Sequence, residues 1–187
     1  MDRRRACLTL IALPLVGVIG PARATVDPQI GVSRLGELYI VDALIVVPVA
    51  PREAWDVMTD FDDMARFVPN LEISRVTGRD GLRLRVEQKG VARWGLLSHS
   101  FTTVREIELE PIDRVRSKSI GGTLHQVNSE TQFASASGGT EIRHHVSFAL
   151  ETWMPDFLAQ PFLQSEMRNQ FDALLAEMLR RRTIPRQ

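Results

Sequence analysis

Apolar residues recur along this chain with two different periods. From Leu163 to Met178 they fall at Leu163, Met167, Phe171, Leu174 and Met178, in steps of four, four, three and four, with Leu175 and Leu179 beside them. That is the spacing of one helical face. Gln164, Glu166, Arg168, Gln170, Asp172, Glu177 and Arg180 fill the other positions and read as the solvent side. Pro161 suits a first turn, and Arg180-Arg181-Arg182 place positive charge at the negative end of the helix dipole. A stripe this wide is unstable alone in water, so Met154 to Arg182 is expected to form one long helix that lies on a partner surface.

The partner is a set of strands. Leu38 to Val47 is rich in β-branched residues and ends at Pro48, as expected of a strand buried on both faces for much of its length. Pro51 then opens a short helix with Ala54, Trp55 and Met58 on one side and Arg52, Glu53 and Asp56 on the other. Asp60-Phe61-Asp62-Asp63 is a capping run for a second short helix that stops before Val68-Pro69-Asn70. Thr25 to Glu37 carries little pattern and reads as a lead-in. Beyond Asn70, strands are expected at Glu72–Thr77, Leu82–Gly90, Leu97–Leu109, Arg114–Ile120, Leu124–Ser135 and Thr140–Thr152. Short connectors rich in Gly, Asp and Pro join them, Gly121-Gly122 and Ser137-Gly138-Gly139 among these, so the sheet is antiparallel. The chain is therefore α+β, with a curved seven-stranded antiparallel sheet, two short helices after the first strand, and the long C-terminal helix in the concavity.

The N-terminus differs in kind. Arg3-Arg4-Arg5, the apolar run Ala6 to Ile19 and Ala22-Arg23-Ala24 form the three regions of a secretory signal peptide. The apolar run is shorter than a bilayer span and is interrupted by Pro14 and Gly17. Residues 1–24 are read as the signal and 25–187 as a single ligand-binding domain, which places the mature protein in the periplasm. The whole chain of 187 residues balances 23 basic against 23 acidic side chains. Cleavage after Ala24 removes four arginines and one aspartate, leaving 19 basic and 22 acidic, a net of −3. Nothing here favours nucleic acid or stable membrane insertion. The only cysteine, Cys7, leaves with the signal, and with it disulfide, thiolate and cysteine–metal chemistry.

The stretch Val49-Ala50-Pro51-Arg52-Glu53-Ala54-Trp55, followed by Asp60-Phe61-Asp62-Asp63 and Phe67-Val68-Pro69-Asn70, resembles the opening of the START-like, polyketide cyclase/coenzyme-Q-binding (SRPBCC) superfamily. There a strand leads into a Trp-containing helix, an Asp-aromatic turn and a Phe-Val-Pro exit. The resemblance covers residues 37–182. It implies a helix-grip fold with a cavity between sheet and C-terminal helix.

Strand phase nominates the cavity lining, because successive side chains alternate faces. His144 shares its face with Ile142, Val146, Phe148 and Leu150, while Glu141, Arg143, His145 and Glu151 point away. Gln88 follows Leu82, Leu84 and Val86. His99, Thr103 and Arg105 follow Leu97, Phe101 and Ile107, and His125 and Thr131 follow Val127 and Phe133. Trp94, between Arg93 and Gly95 in a loop-like break, is a candidate lid aromatic, whereas Trp55 and Trp153 read as core anchors. The ligand-binding candidates are thus Gln88, Trp94, His99, Phe101, Arg105, His125, Phe133, His144, Phe148 and Phe171. A lone histidine on an apolar face is commonly just a hydrogen-bonded core residue, and Arg105 reads as a solvated strand-end residue.

No nucleophile elbow, zinc-protease, dinucleotide or P-loop pattern occurs, and Glu141-x-x-His144 lies across a strand and so on opposite faces. No metal, cofactor or catalytic residue is assigned. The expectation is a monomeric, exported binder or carrier of a hydrophobic small molecule, such as a lipid, quinone or polyketide-like ring system. The alternatives are a cyclase or dehydratase in which His99, His125 or His144 is general acid/base, and an interaction module with a filled cavity.

Overall fold

The computed structural model describes residues 27–94, 97–124, 126–149 and 156–183. The proposed signal peptide, His125, Leu150 and Trp153 lie outside them, as do the side chains of Trp94 and Leu97. The elements are β1 (Gln29–Leu35), β2 (Leu38–Val47), α1 (Pro51–Met58), a 3-10 turn (Met64–Arg66), β3 (Leu71–Asp80), β4 (Arg83–Trp94), β5 (Leu97–Glu110), β6 (Arg114–Gly122), β7 (Asn128–Ala136), β8 (Gly139–Ala149) and α2 (Asp156–Arg182). They build an eight-stranded sheet ordered β1-β2-β8-β7-β6-β5-β4-β3, in which all neighbours are antiparallel. Among the described residues no helix is long and apolar enough to cross a membrane.

The extra strand is β1, which the sequence pattern presented as a lead-in. It forms a hairpin with β2 through Gly36, whose φ of 61° is the left-handed turn conformation that glycine adopts freely. Only Ile30 and Val32 of β1 face the interior side, and α2 lies along it: Gln164 Nε2 donates to Ile30 O at 3.0 Å. In β2 the buried face is Tyr39, Val41, Ala43, Ile45 and Val47, while Asp42 and Val46 are exposed, so this strand is buried on one face rather than both.

Between β2 and β3 the chain makes one helix and a 3-10 turn in place of two helices. Pro51 occupies the first helical turn and the Glu53 carboxylate accepts the Ala50 N–H at 2.9 Å. The aspartates that follow do not cap through their side chains. Asp62 Oδ1 accepts the Val76 N–H of β3 at 2.7 Å, Asp63 pairs with Arg66, and Asp60 pairs with Arg181 of α2 at 2.7 Å. Their carboxylates tie this segment to β3 and to α2, contacts that local sequence does not specify. The 121–122 glycines end β6 instead of turning, and the connection to β7 falls at residues 123–127.

The core unites α1, the sheet and the C-terminal half of α2. Trp55 meets the Phe133 ring edge-on at 5.4 Å, and Phe171, Leu174 and Met178 are buried over the sheet. Burying each such side chain contributes about 1.5–3 kcal/mol. α2 is already helical at Asp156, so Pro161 sits inside it and not in its first turn. The covered face of α2 is also wider than its apolar stripe. Glu166 and Gln170 line the interior under the concave face of the sheet, and Glu177 is buried beneath Arg180 and Arg181 of its own helix.

Candidate functional site

Between the concave face of the sheet and α2 lies a cavity of about 330 Å³, within the size range of small-molecule sites. Its wall is mostly apolar, and aromatic rings of Phe101, Phe148 and Phe171 reach it from β5, β8 and α2. Polar groups enter at three stations.

The first is on β4–β6. Alternation puts Gln88, Thr103, Arg105 and Ser117 on the inner face, all but the arginine nearly inaccessible. Arg105 Nη2 donates to Gln88 Oε1 at 2.5 Å and Nη1 donates to Ser117 Oγ at 3.4 Å. Gln88 Nε2 donates onward to Ser74 Oγ at 3.0 Å, and Ser74 donates to Phe61 O, which fixes the orientation of the Gln88 amide. Burial lowers the Arg105 pKa to about 10, which leaves it charged at neutral pH. Arg105 is thus a cavity residue, not the solvated strand-end residue its sequence position suggested: β5 continues to Glu110, well past it.

The second station is His144 on β8. Its Nδ1 lies 2.8 Å from the Thr131 hydroxyl of β7, its register partner, and its ring meets Phe171 of α2 at 5.9 Å, edge to face. Burial first, and the Arg105 charge second, push its pKa down to about 4, so the imidazole is neutral at pH 7. His145 lies on the outer face, with Nδ1 2.7 Å from Asp42 Oδ1.

The third is Glu166, which accepts from Asn70 Nδ2 at 3.2 Å while burial raises its pKa. Asn70 reaches the wall because its carbonyl receives the Val91 N–H at 2.9 Å, directly against Gly90. A Cβ at Gly90 would lie 2.1 Å from that carbonyl oxygen, so only glycine allows the approach. Sequence reading placed Glu166 on the solvent side and did not single out Asn70 as a cavity residue.

Of the nominated residues, Gln88, His99, Phe101, Arg105, His144, Phe148 and Phe171 line this one cavity, His99 at an exposed position. Phe133 does not: α1 packs on that end of β7 and Trp55 meets its ring in a T-shaped contact, so it belongs to the core. Trp94 is the last residue of β4, paired with Leu97, and not part of a loop. His125 lies outside the described residues. Among those residues no three His, Cys, Asp or Glu side chains converge as a metal site.

The family model described as polyketide cyclase/dehydrase and lipid transport matches residues 47–175. No curated protein sequence matches significantly. Among solved structures, a STAR-related lipid transfer protein from Xanthomonas axonopodis superposes with a TM-score of 0.68 at 11% identity, over 82% of this chain and 94% of its own. The Zhui aromatase/cyclase from Streptomyces sp. R1128 gives 0.64 at 14% identity, over 77% and 95%. A START superfamily protein from Mycobacterium smegmatis gives 0.63 at 10%, over 75% and 97%. At these identities the likeness establishes the fold, a helix-grip sheet around a C-terminal helix.

Proposed function

Since the chain belongs to the polyketide cyclase/dehydrase and lipid transport family, we propose that it is an exported carrier that holds a hydrophobic small molecule between its sheet and α2. The observation that carries this reading is the cavity itself, about 330 Å³ of mostly apolar wall with polar groups held in place by their own hydrogen bonds. Export rests on the signal-like pattern of residues 1–24. The cyclase alternative asks His99, His125 or His144 to act as general acid/base, and His144 is the more enclosed of the two among the described residues. A base is most effective with a pKa near the working pH, and His144 is held near 4 with the Thr131 hydroxyl, not a carboxylate, on its Nδ1.

Gentle organic extraction of the purified protein, followed by mass spectrometry, tests the carrier reading. A consistent lipid-like species in near-stoichiometric amount is expected. Empty extracts, together with failure of the folded protein to bind any added amphiphile, would mean that the cavity is not a carrier site.

A further inference from the structure

The charges facing the cavity do not neutralise one another. Among the described lining residues Arg105 is the permanent cation and Glu166 the carboxylate, yet Glu166 is engaged by Asn70 and forms no ion pair with Arg105. Several other arginines of the sheet do meet carboxylates. Arg75 pairs with Glu87, Arg83 with Glu108, Arg116 with Glu110 and Glu130, and Arg143 with Glu141, all on accessible positions. Among the described residues Arg105 has only neutral partners, and its enclosed Nε has no acceptor.

A guanidinium carries five N–H donors. Gln88 and Ser117 each engage one, at Nη2 and Nη1. An N–H therefore remains on each terminal nitrogen, besides the unbonded Nε–H. Withdrawing a charge from water without a counter-ion is costly, and a methionine or leucine would fill the same space without that cost. Gln88, held by Ser74, props the guanidinium in one orientation. The fork that results is charged, desolvated and incompletely bonded, and planar carboxylates match such a fork with two parallel hydrogen bonds.

We propose that the ligand is an amphiphilic monoanion whose carboxylate seats on Arg105, with its apolar body filling the rest of the cavity. The inference rests on the carrier reading and narrows it. The carboxylate among the described lining residues, Glu166, is already bonded to Asn70, and His144 is hydrogen-bonded to Thr131 and contributes no charge at neutral pH, so the seat for an added negative charge is Arg105. A neutral sterol-like or alkyl ligand would leave Arg105 uncompensated, and an amine would be repelled by it.

The test compares dodecanoate, 1-dodecanol and dodecylamine, which share one chain, by calorimetric titration of the delipidated protein at about pH 8, where the acid is ionised. A second pair, 2-naphthoate and 2-naphthalenemethanol, separates chain-like from ring-like bodies. The acid of at least one pair should bind about tenfold or more tighter than its alcohol, the margin of a charge-assisted bidentate contact. Arg105→Gln should erase this preference, and Arg105→Lys should keep part of it, because a point charge remains without the fork. Where Arg105→Gln does not fold, the wild-type comparison and Arg105→Lys decide. Equal affinities for acid and alcohol in both pairs would overturn the anion inference and leave the carrier reading standing. Failure of the folded protein to bind any of the five would overturn both.

Discussion

A single buried imidazole should leave a measurable mark on the stability of this protein between pH 6.5 and 4. His144 has an ordinary value of 6.5 in the unfolded chain and about 4 in the folded one. Above 6.5 both states hold it neutral and stability is full. As pH falls through the window the unfolded chain binds a proton that the folded chain refuses, so the unfolded state is favoured; below about 4 both are protonated and the loss stops. The two values correspond to about 3 kcal/mol, an upper figure for a ring that keeps some accessibility. Two other groups act nearby. Glu177, drawn down to about 2 by the hydrogen bond from Arg180 and then by Arg181, loses its contribution only as pH falls below its unfolded value of 4.5. Glu166, raised by burial, acts with the opposite sign, its folded form retaining a proton above 4.5. Urea unfolding of the wild type and of His144→Gln at intervals across this range isolates the histidine, because the carboxylate terms cancel in the difference. Glutamine is close in size and can still meet Thr131. The wild-type curve should fall more steeply with decreasing pH, by about 2–3 kcal/mol in total. Parallel curves would refute the reasoning, as would NMR signals of the His144 ring reporting protonation near its ordinary 6.5.

Leu174→Ala removes a side chain only 8% exposed from the centre of the α2 stripe, and should cost about 2–5 kcal/mol, towards the lower figure because the void joins an existing cavity. A change in unfolding free energy within about 0.5 kcal/mol would mean that α2 does not lie on the sheet. Gly90→Ala drives a methyl against the Asn70 carbonyl and the Phe101 ring, and should destabilise by about 1–3 kcal/mol or more, read as a lowered Tm; an unchanged Tm would show that Asn70 does not approach there. N-terminal sequencing of protein recovered from a periplasmic fraction should begin at Thr25, and full-length chain in washed membranes would refute the export proposal.

The parts of the fold that were legible in sequence are those where one face is apolar and the other is not. Val127, just before β7, with Phe133, Ile142 and Val146 sets the phase of β7 and β8, and with it the inward turn of His144 and the outward turn of His145. The same phase argument put Arg105 on the inner face of β5, although its depth was out of reach: how far a strand continues beneath a helix is a property of the assembled layers. Phe133 shared the inward phase too, but α1 covers its end of the sheet, so phase alone could not separate core from cavity. Glu166, Gln170 and Glu177 were hidden for a related reason. They sit one residue before Met167, Phe171 and Met178, about 100° round the helix, and only the assembled packing, the cavity wall for the first two and the Arg180 and Arg181 side chains for Glu177, decides whether that border is wet. β1 was obscured because two apolar residues and Gly31 make a weak alternation, and its register comes from β2 and from Gln164.

The relation between Arg105 and His144 bears on whether the cavity holds a molecule or transforms it. Two main causes depress the imidazole, burial and then the neighbouring guanidinium charge. An anion seated on Arg105 would cancel the second and leave the first, which is the larger. The imidazole of the loaded protein would therefore move part of the way back towards its ordinary value and stay predominantly neutral at pH 7. A neutral His144 with Thr131 on its Nδ1 and Phe171 against its ring is a fixed hydrogen-bonding surface for a ligand. To serve as a general base it would have to accept a proton at a buried position beside a cation, with the Thr131 hydroxyl on its Nδ1 and, among the described residues, no carboxylate hydrogen-bonded to it. Burial of His144 first and the Arg105 charge second make the imidazole a poor proton acceptor, and that same charge, without a counter-ion among the described residues, makes Arg105 a seat for an anion; both favour holding over turnover.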